Sequence, residues 1–279
     1  MTIETATTSD TAAPPPETAR KASPAHIAGL ALLGLWAVIG VALLTYLVRG
    51  FDPGFFAHYA PKLLDGLLVT LELVVVSILL GAALAFPVAL LRISQNRLLA
   101  MLSFSYIYLF RGTPLLAQVF LVYYGAGQFR PLLEDYGLWW FFRDAFNCAL
   151  FTFTVNTSAY QAEILRGAIQ SVERGQWEGA RALGLHDWVI FIKVILPQAF
   201  IIALRPLGNE IILMIKASAV ASVITVFDLM GQTRLAFSRS FEFQVYLWAA
   251  IIYLFLVETL RRVWDRLEAW LTRHLKLNN

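Results

Sequence analysis

The chain has 279 residues, of which 58% are hydrophobic and 15% are charged, with a formal net charge of +3. Soluble domains carry about 25% charged residues, so this composition argues against a soluble domain and indicates a protein of the lipid bilayer. The charge is small and no basic motif is present, which argues against nucleic-acid binding. A single cysteine, Cys148, excludes an intrachain disulfide and a cysteine-rich metal site.

The first 25 residues are rich in Thr, Ala and Pro and predict a disordered tail. The apolar run that follows, 26–48, is longer than the 7–15 apolar residues of a signal peptide, and no small-x-small cleavage site comes after it. The segment 26–64 therefore predicts a retained membrane helix followed by an extracytoplasmic loop.

Further apolar segments reach the length of about 20 residues that a hydrocarbon core of about 30 Å requires. Together with the first they predict six membrane spans, at 27–48, 65–91, 98–124, 142–169, 198–217 and 244–263. The main groups of basic residues then fall on one side of the membrane, which the positive-inside rule makes the cytoplasm. Both termini, including the tail 265–279, are therefore predicted to be cytoplasmic, although the opposite loops also carry some basic residues.

Two of the loops predicted on the side opposite the cytoplasm differ in composition. Loop 125–141 contains the Trp and Tyr residues that are typical of an interfacial belt. Loop 218–243 is partly apolar and predicts a half-helix that returns into the protein, where protein or water satisfies its backbone.

Two spans carry polar residues at membrane depth. Asn156, Tyr160 and Glu163 are spaced i, i+4, i+7 and share one helix face. In the fifth span Pro206 predicts a kink, and four polar residues are expected to cluster around it, namely Arg205, Asn209, Glu210 and Lys216. The pattern favours a pathway for a polar solute, with Glu163 or Glu210 facing a cationic group. In the alternative interpretation, Glu163 and Arg166 form a surface pair, and Arg205 and Asn209 only join helices.

Motifs for other chemistry are absent from the sequence. There is no G-x-x-x-x-G-K-[ST] loop for ATP, no G-x-S-x-G elbow, and no H-E-x-x-H or comparable spacing among the four histidines. The sequence therefore predicts a protein that is not an enzyme and binds neither a metal nor a cofactor. The energy for transport would come from an ion gradient or from a partner.

The segment 171–197, which we call the elbow, predicts two short helices. Trp177, Ala180 and Leu183/Gly184 lie roughly on one face of the first helix, and Gly184 suits a left-handed position at its end. A second helix is expected to start near Asp187, with an apolar stripe made by Trp188, Phe191, Ile192 and Ile195. Pro197 then opens the fifth span. The elbow predicts a cytoplasmic helix–turn–helix, the alternative being an amphipathic linker on the lipid surface.

The elbow also carries a family resemblance. Its "EGARALGLHDWVIFIKVILP" resembles the E-A-A-x3-G-x9-I-x-L-P signature of ABC importer permeases, with Gly179 in place of an alanine and Val194 in place of an isoleucine. "FRGTPLLAQVFLVYYG" and "AYQAEILRGAIQSVERGQ" are similar to polar amino acid permeases. "NCALFTFTVNTSAY" and "NEIILMIKASAVASVITVFDL" resemble the subgroup for histidine, lysine, arginine, ornithine and opines. Many relatives read K-T-S-L where this chain has Lys216 followed by Ala-Ser-Ala.

This resemblance implies an all-α membrane protein with the type I ABC importer permease fold, a permease core at 65–264 and an extra N-terminal helix. It implies a bacterial inner-membrane importer of polar, in particular basic, amino acids, in which the elbow couples the chain to an ATPase. The coupling residues would be Trp177, Glu178, Ala180, Gly184 and Pro197. The pathway residues would be Asn156, Tyr160, Glu163, Asn209 and Glu210.

The same resemblance implies partners. They are two ATPase subunits, which use ATP and Mg, a second permease that is identical or related, and an extracytoplasmic solute-binding protein. The alternative function is a secondary amino acid transporter driven by an ion gradient. That class commonly has inverted repeats, and none is visible in the sequence.

Overall fold

The structure, a computed structural model, describes residues 24–273, and this range contains helices and no strand. Residues 1–23 of the predicted disordered tail lie outside the described residues. Of the predicted tail 265–279, residues 265–271 belong to the last helix, and residues 274–279 lie outside the described range. The predicted all-α fold is confirmed.

Within residues 24–273, four helical stretches are long and apolar enough to cross a membrane. These are Ala25–Arg49, Pro53–Arg92, Asp187–Ile224 and Gln244–Leu271. The two other predicted spans correspond to a broken pair of helices and to a more polar helix. Helix α1 (Pro24–Arg49) belongs to one compact unit, and the residues from Asp52 onward form a second.

Helix α2 (Pro53–Arg92) begins well before the predicted start at residue 65. The Asp52 carboxylate accepts a hydrogen bond from the backbone N–H of Gly54 at 2.8 Å, and Pro53 occupies the first helical position. Both features favour a helix start at this point. A prediction from hydropathy alone does not take them into account and therefore places the start too late. The buried face of α2 is rich in small residues, among them Gly66, Thr70, Ser77, Gly81, Ala85 and Ala89.

The predicted single span 98–124 is wrong, because the chain breaks in its middle. Helix α3 (Arg97–Gly112) ends two residues before Pro114, and α4 (Leu115–Gln128) starts after it. A proline has no N–H for the helical ladder and disfavours helical backbone at the preceding residue. Thr113 is accordingly extended, with φ −113° and ψ 145°. Two short helices, α5 (Arg130–Asp135) and α6 (Trp139–Phe142), follow.

Helix α7 (Ala145–Ser171) is the centre of the second unit and packs against α2, α3, α4 and the later helix α10. Asp144 caps its start by accepting from the Asn147 N–H at 3.0 Å. One apolar cluster around α7 contains Leu73, Val119 and Phe153. A second cluster lies nearer the elbow and contains Leu165 and Ile169.

The elbow contains the two predicted helices, α8 (Arg174–Ala182) and α9 (Asp187–Ile190), so both are confirmed. Gly184 has φ +73°, as its predicted left-handed position requires. A π-helical turn, Phe191–Ile195, joins α9 to α10 (Leu196–Ala217), and Pro197 lies in the first turn of α10 as predicted.

The predicted apolar stripe of the elbow is partly wrong. Phe191 and Ile195 are buried, but Trp188 and Ile192 are exposed, and Ile190 is buried instead. The π-helical turn explains the change, because its i→i+5 bonds insert an extra residue and rotate the side chains away from the 3.6-residue period.

The partly apolar loop 218–243 is helical, as predicted. It forms a 3-10 helix, Ser218–Ile224, and helix α11 (Leu229–Ser240), and α12 (Gln244–Leu271) completes the chain. Ala221, Ile224 and Leu229 are fully buried. The loop therefore packs into the protein, where it contacts α2, α4 and α7.

The contact between α10 and α12 depends on Gly208. A Cβ at this position would lie 2.2 Å from Nε1 of Trp264, which donates to the Leu204 carbonyl at 2.9 Å. Gly208→Ala is therefore expected to destabilise the chain by about 1–3 kcal/mol through overpacking. The measurement is the unfolding temperature in detergent. Gly167→Ala on α7, where a Cβ meets nothing within 4 Å, is the control, and an equal loss in both variants would contradict the prediction.

Candidate functional site

Two cavities lie on either side of the end of α3. The larger, about 400 Å³, is lined by the α3–α4 break, α7 and α10, and we call it the Glu210 cavity. The smaller, about 290 Å³, is lined by residues of α2, α3 and α7, and we call it the Glu163 cavity. Arg111, Gly112 and Tyr160 line both cavities. Because glycine has no side chain, the side chains of Arg111 and Tyr160 form the wall that the cavities share.

Arg111 supplies the positive charge of this shared wall. It lies in the last turn of α3, where a cation is favourable, and its guanidinium carbon is 5.1 Å from the centroid of the Tyr160 ring. This is a cation–π distance. Arg111 shares one cavity with Glu163 and the other with Glu210, so its positive charge can attract a negative group in either cavity.

Glu210 supplies a buried carboxyl group. Its side chain lines the Glu210 cavity, the residue is 7% exposed, and its Oε1 accepts from the Thr157 hydroxyl at 3.0 Å. A buried carboxylate is costly unless it is paired. This side chain can therefore bind a cationic group that enters the cavity.

Asn156 has a mixed role. It lines the Glu210 cavity, but its Nδ2 donates to the Phe110 carbonyl at 3.1 Å and to Oε1 of Gln118 at 3.0 Å. The amide nitrogen is thus already bonded to the break between α3 and α4.

Glu163 lines the other cavity and is paired within its own helix. Its Oε2 accepts from Nε of Arg166 at 2.9 Å, and both side chains are about one-quarter exposed, at 25% and 24%. The three residues predicted to share a face therefore line two different cavities. Asn156 lines the Glu210 cavity, Glu163 lines the Glu163 cavity, and Tyr160 lines both.

The predicted polar cluster around Pro206 is wrong. Asn209 and Arg205 are exposed, whereas Glu210 is buried against α7. Arg205 forms an ion pair at 2.7 Å with Glu268 of α12. Successive helical residues are about 100° apart, so Asn209 and Glu210 point in different directions. Asn209 is not among the lining residues of either cavity.

The predicted coupling residues of the elbow divide into two groups. Ala180 is buried and Trp177 is half-buried, so both pack against the chain's own apolar cluster. Gly184 and Pro197 shape the backbone at a turn and at a helix start. Glu178 is the member of the set whose side chain is exposed on α8.

The outer surface of the elbow is apolar as well as charged. Leu183 and Trp188 are 80% and 61% exposed. Nε of Arg181 donates to Asp187 at 2.9 Å and joins the two short helices, and this hydrogen bond raises the pKa of the Arg181 guanidinium. The elbow is also tied to α10, because Nε2 of Gln198 donates to Oε1 of Gln176 at 3.3 Å. It therefore presents a stiff, partly apolar surface.

Most of the chain matches one known protein family. The profile of the family described as binding-protein-dependent transport system inner membrane component matches residues 77–274, well over half of the chain. The chain belongs to this family.

Individual relatives agree with this assignment. The permease is 42% identical over 217 residues to the nopaline transport system permease protein of Agrobacterium fabrum, covering 77% of this chain and 90% of that one. It is 40% identical over 219 residues to the octopine transport system permease protein of Rhizobium radiobacter, covering 78% and 89%. It is 37% identical over 197 residues to the arginine ABC transporter permease protein of Escherichia coli, covering 71% and 88%.

Solved structures agree with the fold. The crystal structure of an amino acid ABC transporter with histidines matches with a TM-score of 0.69 and 35% identity, over 78% of the permease and 98% of that chain. An inward-facing methionine ABC transporter matches with a TM-score of 0.62 at 20% identity, over 75% and 96%, and supports the fold alone.

The expected fold and family are therefore confirmed. The chain is a membrane-spanning permease subunit of an ABC transport system and is not an enzyme, and its family implies ATPase and binding-protein partners. The relatives described above give no support to the secondary transporter alternative. Within residues 24–273, no three His, Cys, Asp or Glu side chains come together as a metal site would require.

Sequence reasoning missed two residues of the permease site. Arg111 lies directly before Gly-Thr-Pro, a breaker sequence that could have marked the helix end. Gln118 is a buried amide in a segment that reads as continuously apolar. Its side chain donates to the backbone carbonyls of Phe110 and Thr113 at the break between α3 and α4. Hydropathy does not show such a contact.

Glu163→Gln tests the paired carboxylate of the Glu163 cavity. The carboxylate of Glu163 is already paired with Arg166, and a partly exposed ion pair contributes only about 0–1 kcal/mol to stability. We therefore expect arginine uptake to change by less than about fivefold. The measurement is uptake of labelled arginine by the intact complex in vesicles. Arg166→Gln is the matched variant, and a much larger loss with Glu163→Gln than with Arg166→Gln would show that Glu163 contacts the solute.

Proposed function

We propose that this permease translocates polar, and in particular basic, amino acids across the bacterial inner membrane, driven by ATP hydrolysis in a partner subunit. The observation that carries this proposal is the Glu210 cavity, where a buried carboxylate and the guanidinium of Arg111 surround the same space. A basic amino acid carries a carboxylate at one end and a cation at the other. The names of the relatives, which refer to nopaline, octopine and arginine, support the same class.

Each pathway residue then has a role. Arg111 faces the carboxylate of the amino acid and Glu210 faces its cationic side chain, since opposite charges in a partly dry cavity attract more strongly than in water. Tyr160 separates the two cavities, and Asn156 supports the wall. Glu163 lies in the second cavity, on the other side of Tyr160.

The elbow is proposed to be the contact with the ATPase. Its exposed Glu178, Leu183 and Trp188 offer one charge and two apolar side chains, and its attachments to α7 and α10 would pass a movement to the cavity walls. ATP and Mg would be bound by two ATPase subunits, which move the elbows of two permeases together. Substrate would be delivered by an extracytoplasmic solute-binding protein.

A second permease, identical or related, is proposed to cover the exposed face of α10. That face carries Arg205, Asn209 and Lys216 inside a predicted span, and polar groups at this depth are costly in contact with lipid. The proposed topology places both termini in the cytoplasm, with an added N-terminal helix in 26–64 and the permease core at 65–264.

The test uses the intact complex, purified through a tag on this chain and reconstituted in vesicles. We expect an ATPase to co-purify, and we expect uptake of labelled arginine to require ATP and to be reduced by competing lysine, histidine or ornithine. Uptake by this chain alone, dependent on a proton or sodium gradient and indifferent to ATP, would instead establish the secondary transporter. Competition by neutral amino acids alone would contradict the basic specificity.

A further inference from the structure

The break between α3 and α4 leaves a backbone carbonyl without its helical donor. In an α-helix the carbonyl of Phe110 would accept from the N–H of residue 114. That residue is Pro114, which has no N–H. The carbonyl of Phe110 therefore needs a donor from elsewhere, because an unpaired polar group inside the protein is costly.

Two buried side-chain amides meet this need, and we call them the amide clamp. Nε2 of Gln118 lies 2.9 Å from the Phe110 carbonyl, 3.1 Å from the Thr113 carbonyl and 2.8 Å from the Thr113 hydroxyl. Nδ2 of Asn156 donates to the same Phe110 carbonyl and to Oε1 of Gln118. Gln118 and Asn156 are only 7% and 6% exposed, so water does not compete for these bonds.

The clamp holds the backbone on both sides of Arg111. Phe110 precedes this residue and Thr113 follows it closely, and Asn156 is on α7, one turn before Tyr160. The clamp therefore fixes the end of α3 against the helix that carries Tyr160. The guanidinium of Arg111 is held over the Tyr160 ring through this attachment.

We propose that Gln118 is a positioning residue for transport: through the amide clamp it sets where Arg111 stands in the wall of the two cavities, and thereby the affinity for the substrate carboxylate. Gln118 is not among the residues that line either cavity, so it acts through Arg111 and does not touch the solute. This inference rests on the proposed function, because it assumes that Arg111 meets the carboxylate of an amino acid.

The test is Gln118→Met, which keeps the length of the side chain and removes both the donors and the acceptor. In the reconstituted complex we expect the KM for arginine uptake to rise by about tenfold or more, since small misplacements of a binding group are costly, with the maximal rate changed less than about twofold. In an Arg111→Gln background the same substitution should raise KM no further, because the effect passes through Arg111.

Thr152→Val is the matched control. Thr152 is a buried polar residue of α7 whose hydroxyl donates only within its own helix, to the Cys148 carbonyl at 2.7 Å. We expect the KM for arginine uptake by the Thr152→Val complex to equal that of the unmodified complex. If Gln118→Met does not reach the membrane, Gln118→Asn, which shortens the donor's reach, takes its place with the same expectations.

A labelling experiment adds a readout that does not depend on transport. Arg111→Cys is labelled with a charged thiol reagent, since the native Cys148 is buried, and the rate should change severalfold when Gln118→Met is added. Equal increases of KM in both backgrounds, a loss of maximal rate at constant KM, or an unchanged labelling rate would overturn the role of Gln118. An unmodified complex that carries no amino acid would overturn the proposed function, whereas the labelling result would still report on the clamp.

Discussion

Glu178→Lys is expected to reduce arginine uptake by the intact complex to below about a tenth of the unmodified level and to abolish the stimulation of ATP hydrolysis by substrate. Glu178 is exposed on α8, and the elbow also exposes the apolar side chains of Leu183 and Trp188. A side chain in this position is free to pair with a cation of a partner. Breaking such a pair at an interface costs about 2–5 kcal/mol, and each 1.4 kcal/mol corresponds to about tenfold in affinity.

The measurement is ATP hydrolysis and uptake in the same vesicles, together with the amount of ATPase that co-purifies. Glu173→Lys is the control, since Glu173 is also exposed and lies at the start of the same helix. Its side chain makes no capping bond there, so we expect nearly full uptake. Unchanged uptake and hydrolysis in Glu178→Lys would show that the elbow transmits movement through other residues.

Much of the elbow could be predicted from the sequence, because its signals are local. Gly184 takes a left-handed conformation that other residues avoid, and Asp187 and Pro197 mark two helix starts. The buried stripe could not be predicted in full, since the π-helical turn at 191–195 changes the period on which the pattern depends. As a result, Trp188 faces outward and Ile190 faces inward.

The cavity wall was harder to predict, because its contacts join residues that are far apart in the chain. Asn156 and Gln118 are 38 residues apart, and Thr157 and Glu210 are 53 apart. Helical spacing placed Asn156, Tyr160 and Glu163 on one face, but it could not show that Arg111 would lie against that face. Hydropathy averaged over the span 98–124 also does not show the break at Pro114, which only the local sequence Gly112-Thr113-Pro114 could have marked.

The sequence predicts that Asn209 and Glu210 lie together, but in the structure only Glu210 is buried. A proline within a span predicts a kink with a polar opening, and both residues lie near Pro206 in sequence. Neighbouring positions on a helix nevertheless point about 100° apart, so that only one of them reaches α7. Glu210 is the one that meets Thr157, which makes it the stronger candidate for substrate contact.

Glu210→Gln should therefore have a large effect that depends on the charge of the solute. The amide keeps the shape of the side chain and can still accept from the Thr157 hydroxyl, but it removes the negative charge of the Glu210 cavity. A hydrogen bond to a charged group contributes about 1.5–3 kcal/mol, so we expect the KM for arginine and lysine to rise by about 10- to 100-fold. The KM for a neutral competitor such as glutamine should change much less.

The measurement is competition between labelled arginine and unlabelled amino acids in vesicles that contain the whole complex. Thr157→Val is the matched variant, because it removes the hydroxyl that bonds Glu210 and leaves the carboxylate in place. It should raise the KM for arginine and lysine by a smaller factor than Glu210→Gln and leave the KM for glutamine nearly unchanged, since only the orientation of the carboxylate changes. If Glu210→Gln weakened arginine and glutamine equally, Glu210 would have a structural role in the wall, and the preference for basic amino acids would have to arise at another residue of the pathway.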